Sequence, residues 1–402
     1  MWTIRRKRLL LVDPWRMQSP AVCSENREEG RSSQHKGQAM IELFPFGFPS
    51  ATRFSLVMLV ATLVLHMVFM HYVLAGAAYL AFGRFMGPKR CAVCGWQAIL
   101  IDWLPFATGL AIAAGVAPLL FVQILYQREF STANLLLPHR WMAILPVLLV
   151  CFSLLFLQKS AWITRRAWFW RIPVAGAAFA GFAFLAFSWT ENHLLSLDEA
   201  AWPAVYGSGS IRDASAGLLP RLGIWFFAAF TTLAVELAWQ GRLLGMQLVQ
   251  PPQGVAVMGL SAVRRLALTA TSGGLGVLAC GTAYAWTLPG EAMQAVTGPL
   301  GGGWLTAAVA GLAMQLAAWA WVAVQDRFPL PVLLAATAGC LVSLTSGVVL
   351  REVVRVSMVD IEALANAHAE AATIGGLSVF LLFTAAIAAA IVWCIRTAAR
   401  AT

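Results

Sequence analysis

Long apolar runs separated by short polar connections dominate the chain. A run of about 20 apolar residues is what an α-helix needs to cross a bilayer. Nine such runs follow one another: Phe54–Phe82, Leu104–Leu125, Trp141–Leu157, Ile172–Trp189, Leu222–Trp239, Leu266–Trp286, Trp304–Val324, Pro331–Leu350 and Ile374–Ile395. The pattern predicts an all-α fold, a polytopic transmembrane helical bundle of about nine helices. The connections are too short for a soluble domain, and the sizeable polar stretches are Glu191–Pro220 and the N-terminal tail. Trp103, Trp141, Trp168, Trp189, Trp286 and Trp304 fall near the ends of runs, where aromatic side chains suit the membrane–water interface.

The basic residues set an expected orientation, because Lys and Arg favour cytoplasmic loops. Arg84, Lys89 and Arg90 follow the first run; Lys159, Arg165, Arg166 and Arg171 follow the third. Arg242, Arg264 and Arg265 follow the fifth, and Arg396 and Arg400 follow the ninth. The alternate connections are poorer in basic residues, and one carries Glu191, Asp198, Glu199 and Asp213. The expected topology therefore has its N-terminus outside and its C-terminus in the cytoplasm. Residues 1–39 run against it, since their eight basic residues would be hard to translocate. Their apolar stretch Leu9–Val12 is too short for a signal-peptide core. This segment reads as a disordered basic tail or an over-called start ahead of Met40, and residues 40–402 as one transmembrane domain.

Composition agrees with the pattern: 60% of the 402 residues are hydrophobic and 11% are charged. Mean hydropathy is +0.74, whereas soluble domains carry about 25% charged residues. The net charge of +10 calls for no nucleic-acid partner, because eight of the 28 basic residues lie in the tail and most others mark predicted cytoplasmic loops. The partner implied first is the lipid bilayer. Cys91 and Cys94 form a single C-x-x-C followed by Gly95 rather than His, so it is not a c-type haem attachment site. No phosphate-binding glycine loop and no H-E-x-x-H occurs.

The chemistry worth following is polar side chains inside apolar runs. Ionisable groups there are costly and usually face a bundle interior. The first run contains His66 and His71. Neutral imidazole is the usual axial ligand of haem iron, and a histidine hydrogen-bonded between packed helices is the structural alternative. His66 lies about 18 Å along the helix from Phe54, well inside a bilayer, and shares a face with Met70. His71 lies about 140° further round and serves a different neighbour. His66 is the leading candidate ligand. Glu236, near the end of the fifth run, is a candidate for a proton path or an interfacial acid paired with Arg242. His139 stands at the outer mouth of the third run, and Arg140, Arg221, Arg351 and Arg355 fall at predicted outer ends. Guanidinium groups there suit the carboxylates of haem propionates or snorkel to the lipid interface. Glu352 sits beside Arg351 and Arg355 as an ion-pair partner. His193 and His368 are expected to be solvated in outer loops.

Three stretches resemble subunit I of the cytochrome bd quinol oxidases, and in particular its divergent membrane-cytochrome relatives. Arg53-Phe54 leads into Leu65-His66-Met67-Val68-Phe69, which resembles that subunit's first helix, whose His ligates haem. Gly115-Val116-Ala117-Pro118 through Phe121-Val122-Gln123 resembles its G-V-x-x-G-x-P-x-E-F-Q stretch, and Glu352-Val353-Val354-Arg355 its E-V-G-R, where the Glu belongs to a haem site. The resemblance covers roughly residues 50–395. It implies a multi-pass protein of the bacterial inner membrane with haem b. His66, Glu352 and Arg355 would lie at haem, with His71 and His139 as further candidates. It also implies quinol, a second membrane subunit and a c-type cytochrome as partners. Gln123 stands where the family has an acid, the fifth run has no His, and the connection Thr287–Gly303 is too short for a quinol-binding loop. These departures speak against oxygen reduction by this chain. The alternatives are a haem-free anchor of a respiratory complex, or a transporter using His66, His71 and Glu236. The absence of an inverted repeat disfavours the transporter.

Overall fold

The computed structural model describes residues 40, 42–85, 96–209, 215–243, 262–374 and isolated positions between 378 and 393. Regular structure among the described residues is helical: α1 (Ser50–Phe85), α2 (Trp96–Leu125), α3 (Gln127–Leu136), α4 (Pro138–Lys159), α5 (Ala161–Thr164), α6 (Trp168–Leu195), α7 (Trp202–Ser208), α8 (Leu218–Leu243), α9 (Ala262–Ala285), α10 (Gly290–Thr297), α11 (Gly302–Gln325), α12 (Leu330–Met358) and α13 (Ile361–Ile374). Eight of them are long and apolar enough to cross a membrane: α1, α2, α4, α6, α8, α9, α11 and α12. The chain is thus an all-α, multi-pass helical bundle. The basic tail, the C-x-x-C and, apart from isolated positions, the expected ninth helix lie outside the described residues.

The boundary difference that bears on the polar side chains concerns α6. It was expected to end at Trp189, yet it runs on to Leu195. Thr190, Glu191, Asn192 and His193 are buried, so the last turn turns its polar side chains into the protein rather than into a solvated loop. Similarly α2 begins at Trp96 rather than Leu104, because Trp96, Ile99 and Leu100 bury their side chains.

α1 is the hub of the bundle, packing against α2, α6, α8 and α12. From His71 to Ala78 every residue is buried, which only a helix surrounded on all sides allows. α4, at the periphery, instead exposes Met142, Leu145, Leu149 and Val150. Apolar exposure of this kind is what lipid contact requires.

Without a hydrophobic drive between helices in lipid, close association depends on small residues that let backbones approach. α11 and α12 meet in this way: a Cβ on Gly311 would lie 2.8 Å from the Gly339 carbonyl oxygen, and one on Gly339 2.7 Å from that of Gly311. α8 and α9 meet at Gly273, where a Cβ would lie 2.8 Å from the Phe227 carbonyl oxygen. Gly311→Ala should therefore destabilise the bundle by about 1–3 kcal/mol through overpacking, seen as a lower thermal midpoint in detergent. Gly176→Ala, with nothing within 4 Å of the added Cβ, should leave the midpoint unchanged.

Candidate functional site

Both histidines of α1 point into the protein, toward different neighbours. His66 Nδ1 is 3.0 Å from the Ala111 carbonyl oxygen of α2. A carbonyl only accepts, so Nδ1 carries the proton and a neutral ring keeps its lone pair on Nε2. Gly115 makes room for this ring, since a Cβ there would lie 2.9 Å from His66 Cε1. Two of the stretches singled out in the sequence thus touch one another in the interior.

His71 is 0% exposed, and its Nδ1 lies 3.0 Å from Thr232 Oγ1 of α8. The Thr232 hydroxyl donates to the Ala228 carbonyl at 3.1 Å. Its lone pair therefore accepts from His71 Nδ1–H, and His71 Nε2 is left as a buried acceptor without a hydrogen-bond partner. The ring lies 6.2 Å from that of Trp225. Cys340 of α12 places its Sγ 3.6 Å from Thr232 Oγ1. One turn further along α8, Glu236 Oε2 is likewise buried without a hydrogen-bond partner. The ion pair with Arg242 that the spacing offered is not formed, and Arg242 is exposed.

A second polar group closes one end of the bundle. On the last turns of α12, Arg351 Nη1 lies 2.6 Å from Glu352 Oε1 and Arg355 Nη1 3.6 Å from Glu352 Oε2. His193 of α6 accepts on Nδ1 from Arg355 Nη2 at 2.7 Å and from Arg351 Nη2 at 3.3 Å. Arg221, at the start of α8, donates to Tyr284 of α9 at 2.7 Å and is within electrostatic range of His193 and Arg351. The Arg355 guanidinium lies 4.3 Å from the ring centre of Tyr126, just past α2. Burial, and then the adjacent Glu352, push the Tyr126 phenol well above its ordinary pKa, so it stays protonated. The residues that meet here come from the C-terminal ends of α2, α6, α9 and α12 and the N-terminal end of α8. Strictly alternating up-and-down spans bring together these ends.

Two guanidiniums, those of Arg351 and Arg355, thus share one carboxylate, Glu352, which is 2% exposed. Beside them Arg140 and Glu191 form a self-compensating pair at 2.8 Å. Arg355 is 3% exposed, and its Nε and Nη1, like His193 Nε2, have no hydrogen-bond partner. The cluster is buried and incompletely paired, since Glu352 Oε2 too has no hydrogen-bond partner.

Two expectations fail here. His193 is buried and accepts from two arginines rather than being solvated. His368, on α13, is half-buried with Nε2 3.0 Å from the Leu125 carbonyl oxygen. The signal for His193 was the apolar Leu194-Leu195 and Leu197 that continue past it. His139 is exposed on the first turn of α4, and its neighbour Arg140 supplies the inward contact. Gln123 is exposed on α2. The two polar groups remain separate. Along α12, Cys340 and Glu352 are twelve residues apart, about 18 Å, with Leu63, Met67, Leu344 and Val348 packed between α1 and α12 over this stretch.

Among the described residues no three His, Cys, Asp or Glu side chains converge to hold a metal ion. Comparison with protein-family models, curated proteins and solved structures finds no match. Removing Glu352 leaves buried arginines uncompensated, so Glu352→Ala should cost about 3–5 kcal/mol of stability. Arg128→Ala, which breaks an exposed pair with Glu199, should cost about 1 kcal/mol or less. Thermal unfolding of both variants in one detergent makes the comparison.

Proposed function

We propose that the chain is a b-type cytochrome-like subunit of a respiratory complex in the bacterial inner membrane, passing electrons between the quinol pool and a partner on the outer side. The observation that carries this reading is His71. Its Nδ1–H is held by a fixed acceptor and its buried Nε2 lone pair has no partner, the state in which a ligating histidine is held by its second shell. His66 has the same tautomer against Ala111, so it is the second candidate, on the other side of α1. Burial and the unpartnered Nε2 move the lead from His66 to His71.

Haem b fits this donor set. The porphyrin supplies four nitrogens, so one protein imidazole suffices and no three-residue metal cluster is needed. The buried Arg355 N–H groups that lack acceptors suit carboxylates, but they lie about 18 Å along α12 from the level of His71, out of reach of the propionates of a haem held there. When bound, the haem would supply one-electron redox chemistry. The protein's own part is to fix the imidazole tautomer through Thr232 and keep water from the ring.

The resemblance to subunit I of the bd quinol oxidases supports the same reading and carries with it the second membrane subunit and the c-type cytochrome. Oxygen reduction is left out of the proposal, because Gln123 replaces the family's acid and faces away from the interior. A haem-free anchor of such a complex is the second reading. It is favoured by the hydrogen bond that each imidazole already makes within the protein.

A pyridine haemochrome assay on the purified chain separates the two. Stoichiometric haem b in the wild type, abolished by His71→Ala with the fold intact, is the expected result. Loss with His66→Ala alone would return the lead to His66. A folded wild type from haem-sufficient cells that carries no haem b would overturn the cytochrome reading in favour of the anchor.

A further inference from the structure

The polar side chains of α8 form a file of which the electron-transfer reading uses Thr232 alone. Thr232, Glu236 and Gln240 follow one another at i, i+4 and i+8, along one flank of the helix. Each step rises about 6 Å, from the level of His71 to the last turn of α8, where Arg242 is exposed. Other helices contribute polar groups at every level. His71 and Cys340 meet Thr232, and both Tyr72 and Cys340 lie within electrostatic range of Glu236. The Tyr72 hydroxyl donates to Gln240 Oε1 at 3.1 Å, and Trp239 Nε1 donates to Thr337 Oγ1 of α12 at 2.9 Å.

Glu236 is the member that packing alone does not explain. Its Oε2 is buried with no hydrogen-bond partner. No charged group of the surrounding helices hydrogen-bonds Glu236 Oε2. α9 brings Arg264 and Arg265, both engaged in interactions of their own. α6 brings Arg171, which donates to the Thr164 and Arg166 carbonyls, and Glu191 and His193 at the opposite end. α12 brings Arg351, Glu352 and Arg355 at that same far end. An ionised carboxylate without a compensating partner is expensive in such a place, and intramembrane acids of this kind mark proton routes.

We propose that Glu236 is a protonated acid at the inner end of a proton-conducting half-path, which runs along α8 and opens at its C-terminal end past Gln240 and Tyr72. The Glu236 carboxyl gives up its proton to water or hydroxyl groups on the Gln240 side and regains one from the same side. The Tyr72 hydroxyl and Gln240 amide, each both donor and acceptor, carry the exchange. The path rests on the α8 geometry and holds whether or not haem is bound.

Infrared spectroscopy of the full chain in detergent or lipid tests it. A protonated-carboxyl stretch that disappears in Glu236→Gln is expected, and in the wild type that band should shift promptly on transfer to deuterated water. Gln240→Leu and Tyr72→Phe, checked for an unchanged thermal midpoint, should each slow the shift. If Glu236→Gln removes no such band, the carboxyl is ionised and the proposal fails. It fails equally if the band is present but unresponsive to deuterated water, or if both Gln240→Leu and Tyr72→Phe shift as fast as the wild type.

Discussion

A polar group within hydrocarbon has only the protein to bond to, and this constraint arranges the whole bundle. Its consequence is sharpest on α1. Backbone groups satisfy one another inside each helix, so what remains to be placed is side chains. His66 finds a carbonyl of α2, His71 a hydroxyl of α8, and Tyr72 an amide further along α8. Each of these bonds ties the central helix to a neighbour at one register. The apolar residues that fill the rest of α1 can pack in several ways, whereas a polar group left unbonded in lipid costs several kcal/mol. Hydrogen bonding therefore selects the packing, and small residues such as Gly115, Gly311 and Gly339 then let helices approach closely enough to keep it.

At the Arg355 end the same constraint acts on full charges. Arg140 and Glu191 compensate each other, so burying that pair leaves little residual charge. Arg351 and Arg355 share Glu352, which leaves positive charge enclosed beside His193 and the Tyr126 ring. Enclosing that charge costs stability.

The spans were legible in the sequence because hydrophobic run length alone decides whether a helix can cross. Their ends were less so. The last turn of α6 reads as a loop when Glu191, Asn192 and His193 are scored as polar residues, and only the tertiary contacts that bury them keep the helix going. That His66 and His71 would turn into the bundle was visible from their setting in an apolar run. Their rank was not, since it depends on Thr232 and Ala111, residues 161 and 45 positions away. The clustering of Arg351, Glu352 and Arg355 follows from i, i+3 and i+4 spacing on one helix. Tyr126, Arg221 and Tyr284 join them only because alternating spans bring distant helix ends to one level.

The central claim is that a buried imidazole on α1, oriented by Thr232, serves electron transfer. Its most direct test is optical: bacterial membranes carrying the chain, or the purified protein in lipid, are treated with quinol and the reduced-minus-oxidised spectrum is recorded. The account predicts the absorption bands of a reduced b-type haem, present with the wild type and absent with His71→Ala at equal protein level. A spectrum that shows no quinol-reducible haem in the wild type, or one indifferent to both His71→Ala and His66→Ala, would contradict it.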